Sequence, residues 1–262
     1  MAFRGYNIDK GWYWLGFDNF KNVFYDLKTL PVLRYGIINS LIAWFWTSLV
    51  SIFLGLLFAN YIFRKNKGWG FFRIVLFLPS VLSAGVLITI FKYYGDRFLP
   101  GILNKLFGTH LLGFLSEPQY KFPTVVIFSI FISFGVQVLI YTGAMSAISE
   151  SVFDASKIDG CSSTREFFSI ILPQIVPTVT VYIVSGIAQL FSNQLNLYSF
   201  YFQAADIKVQ TIGYYTYRAI QKASSYAEYP YIATIGLLCT AVIAPVVVFA
   251  RWVFRKLDPM ED

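Results

Sequence analysis

No carboxylate interrupts the chain between Asp26 and Asp96, and none interrupts it between Glu117 and Glu150. Each gap can hold at least one helix of roughly 20 mostly apolar residues, the length that crosses about 30 Å of hydrocarbon. The bias extends to all 262 residues, of which 56% are hydrophobic and only 13% charged. A globular domain carries about a quarter charged residues. A soluble enzyme is thereby excluded, and the chain belongs in a bilayer.

Other chemistries are poorly supported. Cys161 and Cys239 stand at no metal or disulfide spacing and His110 has no partner histidine, so neither a metal centre nor a catalytic residue is expected. The net charge of +7 does not gather on a face interleaved with exposed aromatics, so no nucleic-acid partner is expected. The cations sit mainly between apolar stretches, where they set membrane orientation.

Five stretches qualify as spans: Tyr35 to Phe63, Phe72 to Tyr94, Phe122 to Ile148, Phe168 to Asn193 and Tyr229 to Phe254. Placing the loop after the first span inside puts nine of the 21 cations on the cytoplasmic side and twelve outside. The nine occupy short segments, where the positive-inside rule is strongest, and Arg64, Lys65, Lys67 and Arg73 form an acid-free cluster. The N-terminus is therefore expected outside and the C-terminus inside. Residues 1–34 read as an extracytoplasmic segment whose Trp12 and Trp14, with Trp44, suit a membrane interface. They show no basic region followed by an apolar one, so no processed leader is expected. Pro79, Pro123, Pro173, Pro177 and Pro245 fall in or beside spans, where kinks are expected.

The most informative segment lies between the third and fourth spans, from Ser149 to Pro173. It is polar, and Val152, Ala155 and Ile158 recur at helical spacing, which predicts a short amphipathic helix across the cytoplasmic mouth of the bundle. Gly160 follows, where a positive φ or a close backbone approach is natural. Within this segment, Asp154-Ala155-Ser156, then Asp159-Gly160, then Ile170-Ile171-Leu172-Pro173 with Pro177, resemble the signature of the permease subunits of bacterial ATP-binding-cassette importers. That signature has Glu-Ala-Ala, three residues to Gly, and a later Ile-x-Leu-Pro. Asp154 stands for Glu and Ser156 for the second Ala.

The resemblance covers nearly the whole chain. Residues 2–11 and 15–20, Asn39-Ser-Leu41, Leu54-Gly55, Phe77-Leu-Pro79 and Thr211-Ile-Gly-Tyr-Tyr-Thr-Tyr217 look like the carbohydrate branch, most of all the polysaccharide-type permeases of Gram-positive bacteria. What this implies is an all-α polytopic protein with the type I importer permease fold, six spans in the family and five here, the sixth ending before the equivalent of Ala2. The implied transmembrane domain is 35–262, with a coupling helix at about 150–165. The implied partners are a second, homologous permease, two cytoplasmic ATPases, an extracytoplasmic solute-binding lipoprotein, an oligosaccharide and membrane lipid. The implied location is the bacterial cytoplasmic membrane.

The chain has no Gly-x-x-x-x-Gly-Lys-Ser/Thr loop, so ATP is expected on the partner ATPase and no cofactor on this chain. Asp154, Ala155, Ser156, Asp159 and Gly160 are the expected ATPase contacts. Ser133, Gln137 and Tyr141 in the third span, and Ser185, Gln189, Ser192 and Asn193 in the fourth, recur at three and four residues and are each expected on one helix face. Uncharged amides, hydroxyls and an aromatic ring suit a sugar pathway, although such groups also bond helices together. The competing readings are a permease for another small solute and an ion-coupled secondary transporter, which would usually carry ionisable groups in its spans.

Overall fold

The computed structural model describes residues 1–257. Among them, four helices are long and apolar enough to cross a membrane, and a bent pair makes a fifth candidate. The chain divides into two compact units. The first comprises Met1–Phe45, Ile88–Val126 and Ile187–Val247, and the second Trp46–Leu87, Ile127–Gly186 and the chain from Val248.

The first unit opens with a hairpin, within the segment 1–34 for which sequence reasoning assigned no strand. Strands β1 (Arg4–Asn7) and β2 (Gly11–Trp14) pair antiparallel with Tyr6 opposite Trp12. Gly11, at φ 68°, closes the turn, a conformation glycine adopts without penalty. Helix α1 (Asp18–Thr29) follows. Its buried Asn19 donates to the carbonyls of Ala2 (2.9 Å) and Arg4 (3.0 Å), which ties the hairpin to the helix.

Helix α2 (Pro31–Phe63) begins on a proline, whose missing N–H is not needed in a first turn. Two turns in, Asn39 donates to the carbonyls of Lys208 (2.8 Å) and Gln210 (2.9 Å). Ser40 Oγ accepts from the Ile212 amide at 3.1 Å, at the start of α11 (Ile212–Lys222). Thr211 caps that helix by accepting from the Tyr214 amide, and its hydroxyl donates to the Asn193 carbonyl at 3.0 Å. A Cβ on Gly213 would stand 2.5 Å from the Ser192 carbonyl oxygen, so only glycine lets α11 approach this closely. Val23, Leu33, Ile212 and Ile235 form the buried apolar cluster beside these bonds. Asn39-Ser40 and Thr211-Ile212-Gly213, far apart in sequence, are the two halves of one lock.

The loops of this unit are held by the same economy. Asp96 Oδ1 accepts from the Leu115 amide (2.8 Å) and the Tyr201 hydroxyl, on α10 (Leu197–Tyr201), donates to the Leu115 carbonyl (2.9 Å). Burial, reinforced by the Asp96 carboxylate, raises the pKa of that phenol, so it remains a donor.

The second unit contains the rest of α2, then α3 (Trp69–Val81), most of α6 (Pro118–Ser146), α7 (Glu150–Ile158), α8 (Ser163–Glu166) and α9 (Leu172–Ala188). Its helices touch through glycine: a Cβ on Gly135 would overlap the Leu76 carbonyl oxygen, and one on Gly55 would stand 3.1 to 3.3 Å from Tyr141 and Gln137. Small residues at such crossings let two backbones meet without a hydrophobic drive, which lipid does not supply.

Two of the five spans depart most from expectation. The stretch Phe72 to Tyr94 is not one straight helix: α3 stops at Val81, Leu82 is extended, and α4 (Ala84–Tyr93) restarts after a turn of 103°. Pro79 leaves the Val75 carbonyl without its helical donor, and Ser83 and Gly85 favour no helix, so the break falls here. The fourth span starts at Ser163 and ends at Ala188 rather than Asn193, and it contains a π-helical turn over Phe167–Ile171 ahead of Pro173. That wider turn accommodates a ring that cannot donate and would crowd the carbonyl four residues back. The last span, α12, runs Tyr229–Leu257.

Gly135→Ala is expected to lower the thermal stability of the detergent-solubilised chain, overpacking costing about 1–3 kcal/mol. Gly143→Ala on the same helix, with open space around its Cβ, is expected to be neutral or slightly stabilising. Melting curves of the two variants, compared with wild type, check this.

Candidate functional site

The segment singled out in the sequence folds as α7 and α8. In α7, Glu150 in the first turn and Lys157 in the last complement the helix dipole. Its C-terminus is a Schellman arrangement: the Cys161 amide donates to the Ser156 carbonyl (2.9 Å) and the Gly160 amide to the Lys157 carbonyl (3.1 Å), with Gly160 at φ 66°. Any other residue there would be strained by its Cβ. Space around Gly160 is open, so its backbone, not a neighbour within this chain, demands glycine.

The inward face of α7 differs from the expected one. Spacing pointed to Val152, Ala155 and Ile158. In the structure Phe153 and Ser156 turn inward beside Val152, Ala155 is exposed, and Ile158 is 86% exposed. Phe153 decides the rotation, because its ring buries far more apolar area than the Ala155 methyl. It packs on Phe63 with ring centroids 5.4 Å apart, above a core of Ala59, Tyr141, Met145, Ile171 and Ile175.

Ser156 was expected among the contacts to a partner. It is only 4% exposed; its hydroxyl donates to the Phe153 carbonyl at 2.8 Å, with Glu166 Oε2 3.4 Å away. Its hydroxyl is thus turned into its own chain, where it positions the helix. Asp154, Ala155, Lys157, Ile158, Asp159 and Gly160 make the outward surface. Asp154 and Lys157 pair on it at 3.0 Å, both largely exposed, which stabilises little in water.

A charge pair unread in the sequence fixes the segment. Arg64, directly after α2, donates from Nη2 to the Ser163 carbonyl (2.8 Å) and to Glu166 Oε1 (3.1 Å), and from Nε to Asn60 Oδ1 (3.1 Å). The two charged side chains are 21% and 11% exposed. Glu166 thus joins Arg64 on one side and Ser156 on the other. Sequence reasoning used Arg64 only for orientation and Glu166 not at all, because no local pattern joins positions 102 residues apart.

The expected pathway residues are only partly brought together. On α6, Gln137 and Tyr141 are buried one turn apart against Gly55. Gln137 Oε1 and the Tyr141 hydroxyl have no hydrogen-bond partner among the described residues, and the Tyr141 ring meets Tyr182 of α9 edge-on at 5.6 Å. Ser133 is exposed and shares a 3.0 Å hydrogen bond with Ser51 of α2. The second set does not form one helix face. Only Ser185 lies on α9; Gln189, Ser192 and Asn193 follow its end. The Ser192 and Asn193 amides turn back onto the Gln189 carbonyl, Asn193 Oδ1 accepts from the Leu195 amide, and the Asn193 carbonyl serves Thr211. The Ser192 hydroxyl, which donates to the Gln189 carbonyl, and the Asn193 side-chain amide are spent on the turn into α10, which is why the helical spacing misled.

Against this geometry stand the likenesses to known proteins. A family model described as the binding-protein-dependent transport system inner membrane component matches residues 51–260. The chain is 28% identical over 187 residues to the maltose/maltodextrin transport system permease protein MalF of Vibrio vulnificus, covering 68% of this chain and 35% of that protein. It is 30% identical over 167 residues to a probable ABC transporter permease protein of Mycoplasma pneumoniae, covering 63% of this chain and 50% of the relative. The chain thus spans half or less of the length of these relatives. Among solved structures, a chain of a bacterial ABC transporter involved in the import of the acidic polysaccharide alginate superposes with a TM-score of 0.79 at 21% identity, covering 93% of this chain and 84% of that one.

Replacing Glu166 by Ala removes the acceptor that holds Arg64 and leaves the guanidinium half-buried. A loss of about 1–3 kcal/mol of stability is expected. Faster thiol modification of Cys161, which is half-buried between α7 and α8, should accompany it; rates measured in a Cys239→Ser background check this, and Glu166→Asp should restore part of the protection.

Proposed function

The chain belongs to the family of binding-protein-dependent transport system inner membrane components, and from that premise we propose that it is one permease subunit of an ATP-driven sugar or oligosaccharide importer. It is a multi-pass membrane protein. In this reading the N-terminus lies outside the bacterial cytoplasmic membrane and α7 lies inside. A second, homologous permease supplies the other wall of the pathway, two ATPases bind and hydrolyse ATP, and an extracytoplasmic binding protein delivers the sugar. This chain itself needs no cofactor.

The observation that carries this reading is the exposed face of α7. An apolar Ile158 and a left-handed Gly160 are presented outward on a helix fastened to its own chain by Phe153, Ser156 and the Arg64–Glu166 pair. Such a helix passes a push on its outer face to α2 and α9 rather than folding away from it. ATP on the partner and sugar in the pathway then bias one two-state element from opposite ends.

The sugar reading rests on chemistry and kinship. Gln137 and Tyr141 offer uncharged polar atoms in a buried place, the kind of group that hydroxyl-rich ligands or water must complete. The maltose and maltodextrin permeases among the relatives point the same way.

In the assembled, reconstituted transporter, Gly160→Trp should leave the subunits together and lower binding-protein-stimulated ATP hydrolysis roughly tenfold, within the usual range of coupling energies. Hydrolysis and uptake at wild-type levels would show α7 to be only a loop helix. The substrate class is tested separately by binding of an oligosaccharide panel to the delivering protein; retention of amino acids or peptides alone would refute the sugar assignment.

A further inference from the structure

A groove of about 540 Å³ runs along the second unit between the last turns of α2 and the segment from α8 into α9. Its two ends differ in chemistry. One end is walled by Phe53, Leu57, Phe167 and Phe168, three of which, Phe53, Leu57 and Phe168, are among the exposed large apolar side chains of the chain. The other end is lined by Arg64, Asn66, Ser163 and Thr164. A water-soluble ligand has no use for the first end, and a purely apolar one leaves the second unsatisfied. The shape asks for an amphiphile.

Dimensions and charge narrow the choice. Phe53 and Arg64 are eleven residues apart along α2 and its continuation, about 16 Å at the helical rise. One leaflet of the hydrocarbon core is about 15 Å deep, so an acyl chain starting at Arg64 reaches the Phe53 end. At the polar end, Nε and Nη2 of Arg64 are engaged with Asn60, Ser163 and Glu166, while no bond of Nη1 is made among the described residues, which leaves its two N–H groups to donate. Lys65 and Lys67 flank it, exposed, in a loop ordered by the Tyr61 hydroxyl on the Lys67 carbonyl (2.5 Å) and by Lys65 at φ 51°. Glu166 already pairs with Arg64, but among the described residues no carboxylate pairs with Lys65 or Lys67, and none lies between Asp26 and Asp96 in the sequence.

We propose that this groove is a binding site for an anionic phospholipid, its phosphate held by Arg64 with Lys65 and Lys67 and one acyl chain laid against Phe53, Leu57 and Phe168. Basic pockets between spanning helices take anionic head groups by this combination of charge and depth. Because Arg64 also holds Glu166, the lipid phosphate would complete the clasp that stations α7, so the bound lipid supports the helix from the membrane side.

Native mass spectrometry of the purified full chain in nonionic detergent tests the site, with phosphatidylglycerol and phosphatidylcholine of identical acyl chains as probes. Wild type should retain one phosphatidylglycerol at concentrations where phosphatidylcholine is lost. Leu57→Trp should weaken both lipids by filling the groove. Lys65→Gln with Lys67→Gln, both at exposed positions that leave the fold intact, should weaken phosphatidylglycerol alone, about fivefold for each lysine removed. Equal retention of the two lipids by wild type, or a preference untouched by either variant, would overturn the site. So would crosslinking of a cysteine at Leu57 to another protein subunit, rather than to a photoactivatable phosphatidylglycerol, in the assembled transporter.

Discussion

Hydrocarbon offers a backbone no hydrogen-bond partner, and everything distinctive in this chain follows from where that rule is obeyed and where it is relaxed. Long stretches obey it by running as helix, α2 for 33 residues and α6 for 29. Where helix stops, a designated side chain takes over. Asn39 serves the carbonyls of Lys208 and Gln210, Ser40 serves the Ile212 amide, and Thr211 both caps α11 and reaches Asn193. Where helices touch, glycine allows backbone to meet backbone or ring, as at Gly55, Gly135 and Gly213. Apolar length builds the spans; a few polar side chains and missing Cβ atoms fix how they are joined.

The clasp of Arg64, Glu166 and Ser156 shows the same logic applied to function. A partly buried ion pair adds little net stability, since desolvation offsets much of the attraction, but breaking it strands a charge. Its value here is positional. It joins the end of α2 to α8 and, through Ser156, to α7, so the outward face of α7 is presented by a rigid support instead of a swinging loop. In the proposed transporter that rigidity lets closure of an ATPase dimer act on the spans.

Much of this was legible in the sequence, and the reason is physical. The apolar gaps marked the spans because crossing hydrocarbon leaves few alternatives, and Gly160 was readable as a left-handed position because a polar helix ended there. What escaped notice depends on contacts distant in sequence or on competition between neighbours. The pairing of Arg64 with Glu166 has no local trace. The face of α7 turned on Phe153 outcompeting Ala155, a contest that spacing alone does not decide. Gln189, Ser192 and Asn193 kept helical spacing after the helix had ended, since a turn built on Gln189 uses the same intervals. The break at Leu82 was half visible in Pro79, yet a proline inside a span also kinks a helix without ending it.

The most direct measurement is of which side of the membrane α7 faces and what it touches there. A single cysteine at Ala155, exposed on the outward face, can be probed in intact cells with a membrane-impermeant maleimide, then crosslinked in inverted vesicles carrying the whole transporter. The predicted result is no labelling from outside, ready labelling in inverted vesicles, and a crosslink to the ATPase subunit that changes in yield when ATP is added. Labelling of that cysteine from outside intact cells would contradict the topology, and with it the role assigned to α7.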